Sequence, residues 1–215
     1  MLFVGDKGVP KGGVPNDWNN LAPRFGFAWN PTAKTSVRGA YGVFYETPAI
    51  HQLSAFAQNQ PFSAQIQINA PYSFSDPYRG QVDPFPYTRP TSAQARSQLV
   101  FLTPAVMGET LQAGLVDGYM QQWNFSIQRE TVQGLVVTAA YVGSKGTKLP
   151  IQRELDPALY APGATTANIN QRRIYAPYFS TIADYESNGF STYHSMQLSL
   201  NKRFAHRYTV LANYT

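Results

Sequence analysis

Apolar and polar residues alternate along six segments of the chain, which predicts six β-strands. In each segment, most side chains at every second position are aromatic or aliphatic, and those between them are mostly polar or small. A strand turns successive side chains to opposite faces of its sheet, so each predicted strand has one apolar and one polar face. All 16 prolines lie outside these segments, as expected because proline cannot donate to a sheet ladder. The predicted strands are 24–30, 36–45, 119–130, 135–144, 192–203 and 208–215.

The connections between the predicted strands alternate between short and long. Residues 31–35, 131–134 and 204–207 are short connections, whereas 46–118 and 145–191 are long. Apolar side chains of paired strands must share a face. The residue numbers of two paired positions in each hairpin must therefore add up to an even number. We therefore predict three antiparallel hairpins that pair residue 30 with 36, 130 with 134, and 204 with 206. The second pairing places Trp123 beside Tyr141.

This rhythm of connections favours a membrane β-barrel over a compact soluble domain. Long connections without their own secondary structure are uncommon in compact domains. They are normal in outer-membrane barrels, which have short periplasmic turns and long extracellular loops. The predicted fold class is therefore an all-β, antiparallel transmembrane β-barrel fragment of about six strands. A soluble sheet alternates in the same way, so the alternative is a secreted, soluble β-rich domain for carbohydrate binding or adhesion.

The barrel interpretation assigns each face of the predicted strands to lipid or lumen, because barrel strands are apolar outward and polar inward. The predicted lipid-facing and aromatic-girdle residues are Phe25, Phe27, Trp29, Tyr41, Tyr45, Trp123, Phe125, Tyr141, Leu198, Leu200 and Tyr208. The predicted lumen-facing residues are Arg24, Arg38, Gln122, Asn124, Gln128, Gln197 and Asn201. Arg129 and Lys202 have lipid-face parity, and we expect their long side chains to reach the headgroups near the short turns.

Composition and charge exclude several other classes of protein. The chain has 215 residues, a formal net charge of +5 and no cysteine, which excludes disulfides, thiolate metal sites and cysteine nucleophiles. Its 17 Lys and Arg residues are scattered rather than gathered in a basic stripe, so we expect no nucleic-acid partner. No apolar run is long enough for a transmembrane helix, and the first residues do not have the pattern of a signal peptide.

Candidate chemistry is sparse, and we predict neither an enzyme nor a cofactor. The histidines His51, His194 and His206 have no metal-ligand spacing, and His194 is expected to be a surface imidazole. Two carboxylate pairs have the spacing of cation ligands or acid–base groups, but we expect them to be solvated loop charges. These pairs are Glu154 with Asp156 and Asp184 with Glu186. No catalytic, cofactor-binding or metal site is therefore assigned.

Four stretches together suggest a family. Residues 19–46 (NNLAPRFGFAWNPTAKTSVRGAYGVFYE), 119–130 (YMQQWNFSIQRE), 137–149 (VTAAYVGSKGTKL) and 191–215 resemble the C-terminal β-barrel of Oar-like TonB-dependent outer-membrane proteins of acidobacterial type. The resemblance covers all six predicted strands in order. It implies residence in the cell outer membrane and a role in the uptake or transport of substrates.

The same resemblance implies that residues 1–215 are a fragment of one receptor barrel domain. Such a barrel has about 22 strands, and the family also has a plug and a carboxypeptidase-regulatory-like domain, which this chain lacks. The implied partners are outer-membrane lipid and lipopolysaccharide, the remaining strands and plug of the parent protein, and a TonB-type energising complex. The basic loop residues Lys145, Lys148, Arg172 and Arg173 are candidates for contact with lipopolysaccharide phosphates, but the favoured interpretation is that they are solvated loop charges, because exposed charges need no partner.

Overall fold

The described part of the chain contains seven β-strands. A computed structural model describes residues 6–47, 54–55, 58–61, 63, 72–80, 82–83, 85–86, 88, 103–205 and 207–215. The strands are β1 (Arg24–Thr32), β2 (Thr35–Glu46), β3 (Ala105–Leu111), β4 (Gly118–Val132), β5 (Leu135–Glu154), β6 (Phe179–Ala205) and β7 (Tyr208–Tyr214), with a 3-10 turn at Asn170–Arg172. In this part of the chain, no helix is long and apolar enough to cross a membrane.

The all-β prediction is confirmed, with two differences in extent. The six predicted segments coincide with β1, β2, β4, β5, β6 and β7, but β5 continues to Glu154 and β6 already begins at Phe179. Clean alternation stops before these extensions, because Gly146 and Pro150 interrupt the pattern in β5. The short strand β3 was not predicted, since it lies within a proline-rich connection and its own alternation is weak.

Most of the sheet is antiparallel, but β3 departs from the predicted arrangement. The strand order is β1-β2-β4-β5-β6-β3, and β7 also pairs with β6. Strand β3 runs parallel to β6, with Ala105 opposite Phe179 and Leu111 opposite Tyr185. A wholly antiparallel sheet is therefore wrong at this position. A parallel pair requires a long connection, and the stretch between β3 and β6 contains two complete strands.

The chain divides into two compact units. Unit 1 comprises 1–47, 116–150 and 187–215, and unit 2 comprises 48–115 and 151–186. Unit 1 contains the three hairpins. Unit 2 contains β3 and the extensions of β5 and β6, and its described core includes Ala105, Met107, Leu115 and Tyr185, each less than 10% exposed.

The first hairpin has the predicted register, whereas the other two are shifted by two residues. In the first, Ala28 faces Arg38 and Trp29 faces Val37, as the pairing of 30 with 36 requires. In the second, Glu130 faces Val136, so Trp123 lies opposite Gly143 and Tyr141 lies opposite Phe125. The predicted contact between Trp123 and Tyr141 as direct cross-strand partners is therefore wrong.

The turns explain these shifts. Strands β4 and β5 are joined through Gln133 and Gly134, and Gly134 has a φ of +73°, a conformation that glycine adopts without strain. The register also slips between Glu130 and Val132. In the third hairpin, Lys202 faces Val210 and a second slip precedes Ala205. A shift by two residues preserves the face of every side chain, so alternation cannot detect it.

Candidate functional site

One face of the sheet in unit 1 is built from consecutive rows of apolar side chains, and we call it the aromatic face. Each row runs across β1, β2, β4 and β5 through directly paired residues. The rows are Phe25–Tyr41–Trp123–Gly143, Phe27–Gly39–Phe125–Tyr141 and Trp29–Val37–Ile127–Ala139. Phe25, Phe27 and Trp29 are 65%, 52% and 61% exposed, so the described part of the chain leaves more than half of each residue uncovered.

Two glycines allow the rings of this face to lie against the sheet. A Cβ atom at Gly39 would lie 2.5 Å from Cε1 of Phe27, and one at Gly143 would lie 2.4 Å from Cε2 of Trp123. Each ring thus occupies the space that a side chain on the glycine would need. In the row of Phe25, the Phe25 and Tyr41 rings stack with centroids 5.5 Å apart.

The aromatic face also contains His194, which the sequence indicated only as a surface imidazole. The phenol oxygen of Tyr141 lies 2.7 Å from Nδ1 of His194. The His194 ring stacks on the Tyr141 ring, with centroids 6.0 Å apart. The centroids of the His194 and Trp123 rings are 6.1 Å apart. His51 and His206 lie outside the described residues.

The same division of faces continues on β6 and β7. Leu198 faces Tyr214 and Leu200 faces Ala212, with Leu198 39% exposed. Gln197 and Asn201 alternate with these leucines and therefore lie on the opposite face. Tyr208 is half exposed at the start of β7. Leu211 breaks the pattern, because its register opposite Asn201 places a large apolar side chain on the polar side.

The opposite face of unit 1 is lined by polar and small side chains, and we call it the polar face. Its rows across the same four strands are Arg24–Gly42–Gln122–Ser144, Gly26–Ala40–Asn124–Val142 and Ala28–Arg38–Ser126–Ala140. Gln128 continues the pattern opposite Ser36 and Thr138. The residues predicted to face the lumen therefore lie together on the polar face, and those predicted to face lipid lie on the opposite face.

The first two rows of the polar face form a groove of about 690 Å³, which we call the Arg24 groove. Its lining includes Arg24, Phe44, Gln122, Asn124, Ser144 and Tyr193. The guanidinium carbon of Arg24 lies 4.4 Å from the centroid of the Phe44 ring, a cation–π contact. Phe44 was missed from the sequence as a site residue because an aromatic residue was not expected on the polar face.

Residues near the strand ends differ from those of the central rows. At one end Tyr45 faces Tyr119, with ring centroids 5.6 Å apart. At the end with the short turns, Arg129 faces Thr35, and Nζ of Lys202 donates to the carbonyl of Gln133 at 3.1 Å. Tyrosine at one end and long basic side chains at the other are side chains typical of membrane interfaces.

In unit 2, the carboxylates expected to be solvated loop charges are mostly buried, so that expectation is wrong. Asp156, Asp184 and Glu186 are 0%, 8% and 3% exposed. Nε of Arg153 donates to Glu186 at 2.7 Å, and the Thr110 hydroxyl donates to Asp184 at 2.5 Å. The strand extensions bring these partners together. Among the described residues, no three His, Asp or Glu side chains form a group that would hold a metal ion.

Glu154 organises the end of the β5 extension. Its Oε1 accepts the backbone N–H groups of Asp156 at 2.8 Å and Ile182 at 2.9 Å, and Nη1 of Arg173 lies 3.4 Å from its Oε2. Partial burial would raise the pKa of Glu154, but these two hydrogen bonds and the positive charge of Arg173 outweigh it, so the pKa lies below its ordinary value.

The basic loop residues differ in what they contact. Arg172 donates to Oδ1 of Asn168 at 2.9 Å and to the carbonyls of Leu159 and Thr165. Arg173 donates to Asn170 and to the Asp156 carbonyl. These two guanidinium groups hold the loop together. Lys145 and Lys148 are exposed on β5.

Comparison with known protein families decides the class of this chain. A family model described as "Outer membrane beta barrel domain" matches residues 1–215. The chain belongs to this family. The outer membrane beta-barrel domain therefore resides in the cell outer membrane, which favours the membrane interpretation over the secreted, soluble alternative. No curated protein matches the sequence.

Two solved structures resemble this outer membrane beta-barrel domain. The FrpB iron transporter from Neisseria meningitidis (F3-3 variant) matches with 9% identity and a TM-score of 0.40, over 86% of this chain and 18% of that one. The Serratia marcescens hemophore receptor HasR, a double mutant in complex with its hemophore HasA and heme, matches with 12% identity and a TM-score of 0.40, over 84% and 20%. The domain thus spans about a fifth of either receptor chain.

Proposed function

We propose that the chain forms part of the barrel wall of an Oar-like TonB-dependent receptor that takes substrates up across the outer membrane. In this proposal the aromatic face contacts lipid and the polar face lines the lumen. The long connections lie outside the cell and the short turns lie in the periplasm. The proposed role is not enzymatic and uses no cofactor.

The observation that supports this proposal most strongly is the segregation of side chains across four paired strands. Three consecutive rows on one face are mainly aromatic or aliphatic, and the three rows on the opposite face are polar or small except at Val142. A soluble sheet buries its apolar face in a core, yet Phe25 and Trp29 are largely exposed. A lipid-facing surface is the environment in which such a face is stable.

The proposed partners follow from the same arrangement and from the sequence resemblance. Outer-membrane lipid contacts the aromatic face, and lipopolysaccharide contacts the outer rim, where Lys145 and Lys148 are exposed. The remaining strands of the parent barrel complete the wall, its plug occupies the lumen, and a TonB-type complex supplies energy through the parts outside this chain.

Cysteine labelling tests the two faces directly, because the chain has no cysteine of its own. Gln197→Cys and Leu198→Cys are compared in the intact parent barrel reconstituted into phospholipid bilayers, using a hydrophilic maleimide. We expect Gln197→Cys to be labelled readily and Leu198→Cys to be protected. Asn124→Cys and Phe125→Cys form a second neighbouring pair on β4 with the same expected contrast. Equal labelling within both pairs would refute the membrane-wall proposal.

A further inference from the structure

The Arg24 groove has the size and the chemical groups of a ligand site. Its volume of about 690 Å³ lies within the range of small-molecule pockets, roughly 300–1,000 Å³. The groove exists because Gly26, Ala40 and Gly42 are adjacent on the polar face and leave space above the strands. Most of the groove wall is apolar, and the polar groups of Arg24, Gln122, Asn124, Ser144 and Tyr193 are set within it.

Arg24 gives the groove its charge. No carboxylate pairs with this guanidinium within the described part of the chain, where the ion pairs involve Arg79, Arg153 and Arg173. Its stem lies against Gly42, since a Cβ at Gly42 would be 3.4 Å from Cγ of Arg24, and its head lies over Phe44. These contacts restrict the side chain before any ligand binds, which reduces the entropy lost on binding.

The other polar side chains of the groove retain hydrogen-bonding capacity. Among the described residues, Asn124, Ser144 and Tyr193 have no side-chain hydrogen bond, although all three line the groove. An amide and two hydroxyl groups donate and accept equally well, as ligand hydroxyl groups do. A planar guanidinium instead matches the two oxygens of a carboxylate.

We propose that the Arg24 groove binds a small hydroxylated carboxylate of the sugar-acid class. Arg24 pairs with the carboxylate, and Asn124, Ser144 and Tyr193 bond the hydroxyl groups. This inference rests on the proposed function, in which the polar face lines the lumen, because only there does a substrate pass the groove. Cysteine labelling at Gln197 and Leu198 tests the membrane-wall proposal, whereas ligand binding tests the groove. A negative result in one experiment can therefore be distinguished from a negative result in the other.

The test is a ligand-observed NMR titration of the 215-residue chain in zwitterionic detergent micelles. D-glucuronate is the probe, D-glucose provides the hydroxyl groups without the carboxylate, and inorganic phosphate provides an oxyanion without the sugar ring. We expect glucuronate to bind about tenfold more tightly than glucose or phosphate, as a charge-assisted hydrogen bond predicts. Arg24→Gln should remove that advantage, whereas the matched control Arg38→Gln, on the same face but outside the groove lining, should change affinity less than about twofold.

A second variant keeps the test decisive if Arg24→Gln fails to fold. Ala40→Leu fills the floor of the groove and leaves Arg24 in place, so it should weaken glucuronate binding by about tenfold or more. Three results would overturn the proposal: no binding of glucuronate, equal binding of glucuronate and glucose, or unchanged binding in a folded Arg24→Gln or Ala40→Leu chain. Binding of an acidic peptide but not of glucuronate would also overturn it and would indicate a polypeptide occupant.

Discussion

The phenol oxygen of Tyr141 and Nδ1 of His194 lie 2.7 Å apart and join β5 to β6 on the aromatic face. The two residues are 53 positions apart in the sequence, and their rings are stacked. On a lipid-facing surface, an imidazole without a partner is costly because no water satisfies its nitrogen. The hydrogen bond therefore allows a histidine to lie among Trp123 and the other rings of this face.

We expect Tyr141→Phe to destabilise the chain by about 1 kcal/mol, the cost of removing one hydrogen-bond partner. Tyr41→Phe is the matched control, because Tyr41 lies on the same face and no hydrogen bond of its hydroxyl is found among the described residues. Reversible unfolding in bilayers measures both changes. In a His194→Phe background the cost of Tyr141→Phe should vanish, and an unchanged cost there would show that the hydrogen bond contributes nothing.

Gly143 provides a second prediction on the same face. A Cβ at Gly143 would lie 2.4 Å from the Trp123 indole, so Gly143→Ala must displace that ring. Overpacking of this kind costs about 1–3 kcal/mol. We expect lower stability and a shift in tryptophan emission. Gly26→Ala is the control, since its nearest contact would be 3.4 Å, and it should change neither measurement appreciably. A normal emission spectrum for Gly143→Ala would contradict the observed position of Trp123.

Alternation along a strand predicts a face for its side chains but does not determine their cross-strand partners. Trp123 is predicted to lie on the apolar side beside Tyr141, but its partner in the sheet is Gly143. The physical reason is that two registers that differ by a shift of two residues put every side chain on the same face of the sheet. Only the turn through Gln133 and Gly134 selects between them, and its conformation depends on φ at one glycine.

The structure of unit 2 could not be predicted from alternation, because it depends on contacts between residues that are far apart in the sequence. Asp184 is buried against Thr110, and Glu186 is buried against Arg153. In the sequence these acids are separated from their partners by 74 and 33 positions. A carboxylate in a polar stretch of sequence is most often solvated. The residues next to Asp184 and Glu186 in the sequence therefore gave no indication that these carboxylates are buried.

The assignment of faces predicts opposite tolerance to charge at neighbouring positions of β6. We expect Leu198→Arg to cost roughly 2–4 kcal/mol in a bilayer, the penalty for a cation on the lipid face near the membrane centre. Gln197→Arg should cost much less, because Arg24 and Arg38 already lie on the polar face. Reversible unfolding of the two variants in bilayers measures the difference. A larger penalty at Gln197 would mean that the polar face contacts lipid.

The alternation of connections predicts the orientation in the membrane. An epitope tag inserted at Pro162, in the exposed connection between β5 and β6, should be labelled on intact cells that express the parent protein. A tag at Ala33, in the turn between β1 and β2, should be labelled only after the outer membrane is permeabilised. Labelling at Ala33 but not at Pro162 on intact cells would reverse the orientation.

The lowered pKa of Glu154 predicts how the β5 extension responds to acid. The carboxylate stabilises the fold through the amides of Asp156 and Ile182 and through Arg173, although partial burial opposes this. A carboxyl whose pKa is lower in the folded state contributes stability that is fully present above its ordinary value, here 4.5, and is lost as the pH falls through the lowered value. The protection of the Ile182 amide against exchange, measured relative to the intrinsic rate at each pH, should therefore begin to fall as the pH drops below about 4.5.

Glu154→Gln separates this effect from general acid unfolding. The variant should exchange faster than the native chain at Ile182 near neutral pH. The difference should shrink below pH 4.5, as the pH falls through the lowered pKa and the native carboxyl becomes protonated. Asp76→Asn is the control, because Asp76 forms an exposed ion pair with Arg79 away from this strand end. A difference between the Glu154→Gln variant and the native chain that persists unchanged into acid would mean that Glu154 acts through its shape rather than its charge.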